Sequence, residues 1–121
     1  MEQLLTILFA EDDAAVRYVV GEMLSEKGFR VLVASDGYEA VRLLADHHVD
    51  LLFTDVVMPG MDGGQLARQA RVMLPAIKVL FATGYAPLAA EREAMHQGRL
   101  LFKPVRSADL VREIEGLLAT R

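Results

Sequence analysis

The chain has 121 residues, of which 53% are apolar and 25% are charged, and its formal net charge is −4. This length and composition are typical of one compact globular domain spanning residues 1–121, and they argue against a disordered chain. The negative charge and the scattered Lys and Arg residues argue against direct nucleic-acid binding, and the lack of cysteine excludes disulfides and thiolate metal sites. No apolar stretch reaches membrane-spanning length and no leader pattern is evident, so we expect a cytoplasmic protein.

Five short apolar runs alternate along the chain with segments of helical periodicity. The runs, each expected to form a strand, are 5–10, 30–33, 51–54, 79–82 and 100–102. Several are apolar at successive positions, which is typical of parallel strands that helices cover on both faces. The pattern therefore predicts a buried parallel sheet.

Apolar residues recur at helical spacing between and after these runs, which predicts helices. The stripes are Val16, Val19, Val20, Met23 and Leu24; Ala40, Leu43 and Leu44; Leu66, Ala70 and Met73; and Leu110, Ile114, Leu117 and Leu118. The fourth helix is placed less sharply, within 87–96. The helix ends are marked by Gly28 after the first helix, a capping box of Asp36 and Glu39 before the second, Pro75 after the third and Ser107 as the cap of the fifth.

Five strands alternating with five helices predict a doubly wound α/β fold. Right-handed crossovers leave few topologies, and the order 2-1-3-4-5 of a flavodoxin-like, three-layer α/β/α sheet is a common one. Ligands of such sheets bind at the carboxyl ends of the strands, near the point where the strand order reverses. The residues that follow strands one and three are therefore the first candidates for a site.

Acidic residues follow both of these strands. Glu11, Asp12 and Asp13 come after the first strand, and Asp55 comes after the third. Clustered carboxylates either raise a pKa or bind a cation, and oxygen ligands without His or Cys favour Mg²⁺ at a site suited to phosphoryl chemistry. The alternative is structural, with Asp13 capping the first helix and Glu11 exposed to solvent.

The fourth and fifth strands are expected to bring a hydroxyl and an ammonium group to the same edge. Thr83 follows the fourth strand, and Lys103 follows the fifth. Taken alone, Thr83 could bond to backbone and Lys103 could neutralise charge at the surface. Because both follow successive strands, we interpret them together as a cradle for phosphate.

With these residues in place, the sequence resembles the receiver domains of two-component response regulators over essentially its whole length. The resemblance implies that Glu11 and Asp12 hold a metal ion, Asp55 is the phosphoacceptor, Thr83 senses the phosphoryl group and Lys103 is the cation of the site. It also implies metal ligation by the backbone carbonyl of Val57 and a cis peptide bond before Pro104.

The resemblance further implies Mg²⁺ or Mn²⁺ as the metal and a sensor histidine kinase or a histidine phosphotransfer protein as the donor. The chain would be a signalling domain rather than an enzyme, and its output surface would be helix four, strand five and helix five. Membrane binding is not expected, and no oligomer is implied, since 97–101 lack the charged pattern of many dimerising regulators.

The chain departs from the family at one position of the predicted switch. Leu100 stands where many receivers have an aromatic residue that moves on activation, and Tyr85 could replace it or merely shield the loop. Val57 and Tyr85 offer no carboxylate or amide to orient water, which leads us to hypothesise slow self-dephosphorylation.

Two other functions compete with this interpretation. A Mg²⁺-dependent phosphatase with an aspartate nucleophile would need a second acid two residues after Asp55, where Val57 stands. A pseudo-receiver would have the fold but accept no phosphate, and the intact set of site residues argues against it. The sequence leaves open the cognate kinase, the signal, the target, and whether the chain acts alone or belongs to a larger protein such as a hybrid kinase.

Overall fold

The computed structural model of the protein describes residues 4–119 and alternates five strands with five helices. The strands are β1 (Thr6–Ala10), β2 (Arg30–Ala34), β3 (Leu51–Asp55), β4 (Lys78–Thr83) and β5 (Arg99–Phe102). The helices are α1 (Ala14–Glu26), α2 (Gly37–Asp46), α3 (Gly63–Met73), α4 (Leu88–Gln97) and α5 (Ser107–Ala119). The predicted alternation is confirmed, with strand ends within one or two residues of the apolar runs.

All strands pair in parallel, in the order β2-β1-β3-β4-β5, as predicted. The central strands β1 and β3 are buried along their whole length, which explains why their sequences are apolar at successive positions. Because every strand runs in the same direction, all five carboxyl ends meet at one edge of the sheet, where the predicted site residues fall.

The sheet separates two apolar cores. One core packs β-strand residues such as Leu52 and Phe81 against α2, α3 and α4, and the other packs Phe9 and Phe53 against α1 and α5. The rings of Phe9 and Phe53 are stacked with centroids 4.9 Å apart. This three-layer packing holds β1 and β3 side by side beneath the acidic edge.

Helix caps differ from the prediction in two places. Asp36 caps α2 by accepting a hydrogen bond from the Glu39 backbone N–H at 2.8 Å, but the Glu39 carboxylate accepts from Ser35 rather than from Asp36, so the box is incomplete. The described structure does contain a complete capping box, formed by Asp62 and Gln65 at α3. At the last helix, α5 begins with Ser107 itself, which lies in the first turn instead of preceding it.

The fourth helix buries the fewest residues of the described helices. It starts after Pro87, which provides no side-chain cap, and it buries only Ala94. It occupies almost the predicted interval but extends one residue further, to Gln97. No described helix is both long enough and apolar enough to cross a membrane.

Candidate functional site

Three carboxylates meet at the carboxyl edge of the sheet. One oxygen from each of Glu11, Asp12 and Asp55 lies within 4.8 Å of the other two. Glu11 and Asp12 follow β1, and Asp55 ends the neighbouring strand β3, so the parallel register explains their proximity. The acidic cluster predicted from the sequence is therefore formed.

Glu11 is buried, with only 1% of its surface exposed. Its backbone N–H bonds to the Ala34 carbonyl at 3.0 Å, which fixes the residue to β2. Burial raises the pKa of Glu11, and hydrogen bonds from the Asp13 N–H and the Lys103 ammonium offset this only in part. The solvent-exposed alternative for Glu11 is wrong, because the side chain faces the site.

Asp13 lies beside this acid pair and does not belong to it. Its side chain caps α1 by accepting a hydrogen bond from the Val16 backbone N–H at 3.0 Å. Its own N–H donates to the Glu11 carboxylate at 3.1 Å. The capping alternative is thus confirmed for Asp13, which orients Glu11 while it starts the helix.

The first residue of α3, Gly63, packs closely against the backbone at the end of β3. The Gly63 N–H donates to the Val56 carbonyl at 2.9 Å, and a Cβ atom at Gly63 would lie only 2.2 Å from the Asp55 carbonyl oxygen. No side chain fits this approach, so Gly63 lets the loop after β3 fold tightly back. The Asp55 carboxylate lies in the acidic cluster, and its side chain is 12% exposed.

Lys103 bridges the two buried acids. Its Nζ atom lies 2.7 Å from Asp55 Oδ2 and 3.0 Å from Glu11 Oε1. Burial alone would lower the pKa of Lys103, but the hydrogen bonds and charges of Asp55 and Glu11 outweigh it and raise the pKa. The ammonium group is therefore charged at neutral pH and neutralises part of the acidic cluster. The peptide bond that follows, to Pro104, is cis as the resemblance implied.

Thr83 ends β4 at the same edge, and its side chain is buried at 1% exposure. Its Oγ1 atom has no hydrogen-bond partner among the described residues. A buried hydroxyl without a partner is costly, so this atom is available to bond a group that enters the site.

The other positions considered from the sequence are Val57, Tyr85 and Leu100. Val57 is half-exposed, and its N–H lies 3.4 Å from Asp55 Oδ1, a long hydrogen bond. Tyr85 is 91% exposed, so its ring does not shield the loop after β4. Leu100 packs from β5 against the core that includes α4.

The residues present fit a hard divalent cation. The donors are oxygen atoms of three carboxylates, and neither His nor Cys belongs to this cluster. Lys103 already compensates one negative charge, which leaves an excess that a cation would neutralise.

Sequence reasoning missed Arg17, which reaches back from α1 to the loop after β1. Its Nη1 atom donates to the Glu11 carbonyl at 2.8 Å and lies 3.4 Å from the Asp12 carbonyl. The available signal was an arginine one turn into the helix that follows an acidic loop, a pattern that is usually only a solvated side chain.

The sheet is parallel with strand order 2-1-3-4-5, and its carboxyl edge carries three carboxylates, a bridging lysine and a buried threonine. This combination defines the class of receiver domains used in two-component signalling. Residues 7–115 match the family of response regulator receiver domains, and the chain belongs to this family.

Known relatives extend this assignment. The chain is 40% identical over 114 residues to the response regulator receiver protein CpdR of Brucella abortus, covering 93% of this chain and 95% of that protein. It is 38% identical over 101 residues to the sensor kinase CckA of the same organism, covering 82% of this chain but 11% of the kinase. Receivers similar to this one therefore occur both as short proteins and within kinases.

A solved structure of a CheY-like receiver domain from Methanospirillum hungatei JF-1 superimposes with a TM-score of 0.90. The two chains are 28% identical, and the match covers 96% of this chain and 94% of the other. The fold and the family assignment therefore agree.

Proposed function

We propose that this receiver domain accepts a phosphoryl group on Asp55 from a phosphohistidine of a sensor histidine kinase or a histidine phosphotransfer protein. The observation that carries the proposal is the Lys103 ammonium group, which contacts both Asp55 and Glu11. A lysine in this position marks where negative charge accumulates, beside a carboxylate that can act as a nucleophile.

In the proposed reaction, a carboxylate oxygen of Asp55 attacks phosphorus in line with the leaving imidazole. The new P–O bond forms as the P–N bond breaks, and the imidazole leaves with a proton. Lys103, which lies 2.7 Å from Asp55, is placed to neutralise the charge that builds on the transferring group.

Glu11, Asp12 and Asp55 would hold the divalent cation, Mg²⁺ or Mn²⁺, together with the Val57 carbonyl. When bound, the ion supplies charge neutralisation on the phosphoryl oxygens. Glu11 is buried and fixed by the Asp13 N–H, whereas Asp12 is exposed at the mouth of the cluster. One acid is therefore preorganised and the other is open to solvent.

Thr83 would report the modification. Its unpartnered hydroxyl can donate to a phosphoryl oxygen on Asp55, which would draw the loop after β4 inward and shift a two-state equilibrium. The surface that changes would be α4, β5 and α5. The low burial of α4, in which only Ala94 is buried, supports its part in this change.

We further propose that residues 1–121 form one receiver domain and that it works in the cytoplasm. It would catalyse no turnover of a small substrate. It would act by contact with other proteins, without direct binding to nucleic acid or membranes. The net charge of −4 supports the exclusion of nucleic acid.

Incubation with acetyl phosphate and Mg²⁺, followed by intact mass measurement, tests the acceptor. The wild type should gain one phosphoryl group, and Asp55→Asn should gain none. Asp46→Asn, which removes an exposed acid of α2, is the matched control and should gain as much as the wild type. An equal gain in the wild type and Asp55→Asn would refute the assignment.

A further inference from the structure

The loop between β1 and α1, residues 11–13, is tied to α1 through the guanidinium group of Arg17. The Nη1 atom donates to the Glu11 carbonyl at 2.8 Å, and the Asp12 carbonyl lies 3.4 Å from the same atom. Arg17 is itself half-buried, and its backbone N–H bonds to the Asp13 carbonyl at 2.9 Å as the first turn of α1 forms. The guanidinium group of Arg17 therefore has a defined position.

This contact is made to carbonyl oxygens and leaves the carboxylates free. The Glu11 carboxylate is oriented by Asp13 and Lys103, but the Asp12 carboxylate has no hydrogen-bond partner within residues 4–119. The direction of the Asp12 side chain thus depends on the backbone of its own loop. Arg17 is the side chain that bonds to that backbone at both acids.

We propose that Arg17 is a positioning residue of the cation site, which fixes the loop so that the carboxylates of Glu11 and Asp12 face one ion. This inference rests on the proposed metal site. Removal of a group that orients metal ligands without binding the metal itself commonly lowers metal affinity by about 10-fold to 100-fold.

The sign of the effect separates positioning from simple electrostatics. A positive side chain near a cation site repels the ion, so removal of Arg17 would strengthen Mg²⁺ binding if charge alone mattered. If Arg17 holds the loop, its removal lets the acids diverge, and Mg²⁺ binding weakens. The two roles therefore predict opposite changes in affinity.

Calorimetric titration of the full chain with MgCl₂ measures this directly. Arg17→Gln should bind Mg²⁺ about 10-fold more weakly than the wild type. Arg17→Lys keeps the charge but lacks the planar guanidinium group, so its Mg²⁺ affinity should fall between those of the wild type and Arg17→Gln. This more conservative variant also tests the proposal if Arg17→Gln does not fold. Arg42→Gln removes an exposed cation of α2 and should bind like the wild type.

Phosphorylation by acetyl phosphate gives the second measurement. The Mg²⁺ concentration needed for half-maximal labelling of Arg17→Gln should rise by the same factor, while the rate at saturating Mg²⁺ should stay near that of the wild type, because the ion then orders the loop. Unchanged or tighter Mg²⁺ binding by Arg17→Gln and Arg17→Lys would overturn the role of Arg17. A wild-type chain that binds no Mg²⁺ would instead overturn the metal site, and the inference with it.

Discussion

Replacement of Thr83 by valine should stabilise the unmodified protein and weaken its response to phosphorylation. The Thr83 hydroxyl is buried and has no partner among the described residues, and such a group costs about 1–3 kcal/mol. Valine has nearly the same shape without that cost, so we expect a gain of about 1 kcal/mol, or roughly 4 °C in Tm for a domain of this size.

Phosphorylation should favour the wild type over Thr83→Val instead. Saturation with Mg²⁺ and beryllofluoride, which mimics the phosphoryl group, should stabilise the wild type more than Thr83→Val, because the hydroxyl then gains a charged acceptor worth about 1.5–3 kcal/mol. Urea unfolding with and without the analogue measures both free energies.

Thr54→Val is the matched control for Thr83→Val. Thr54 is equally buried in the adjacent strand, but its hydroxyl donates to the Asp55 carbonyl at 3.0 Å. Its loss should therefore destabilise the unmodified protein by about 1 kcal/mol. If Thr83→Val destabilises the protein as much as Thr54→Val, the hydroxyl has a partner and the reasoning is refuted.

Three further outcomes follow from the site. Gly63→Ala should lose about 2 kcal/mol or more of unfolding free energy in urea, since its Cβ would lie 2.2 Å from the Asp55 carbonyl, whereas Gly116→Ala, with open space around it, should lose none. The raised pKa of Glu11 means that ionisation of its carboxyl group costs folding free energy. Without Mg²⁺, the unfolding free energy of Glu11→Gln relative to wild type should therefore grow as pH rises from about 4.5 towards neutrality. A difference that stays constant with pH would contradict this. The phosphoryl group should persist for minutes or longer after donor removal, because the half-exposed Val57 cannot orient water, and decay within seconds would refute slow hydrolysis.

The strands and the position of the site were predictable because they depend on burial and chain direction. Strands such as β3 are covered on both faces, so their apolar runs are visible in the sequence, and parallel pairing then brings their carboxyl ends together. Asp55 and Lys103 could be placed at one edge on that basis. Their 2.7 Å contact depends on tertiary packing.

Helix ends and supporting contacts were less predictable. The complete capping box at Asp62 and the incomplete one at Asp36 differ in how the chain enters each helix, which composition does not encode. The fourth helix buries Ala94 but leaves Met95 63% exposed, so its apolar periodicity is weak. Arg17 gave only a weak signal, because its partners are backbone carbonyls that the sequence does not distinguish.

Chemical mapping of the acyl phosphate tests the central claim most directly. Borohydride reduces a phosphorylated aspartate to homoserine, and peptide mass spectrometry then identifies the modified position. Labelling of the wild type with Mg²⁺ and a phosphohistidine donor should give homoserine at position 55 and at no other acid of the cluster. Homoserine in place of Asp12, or no modified aspartate at all after labelling, would contradict the account.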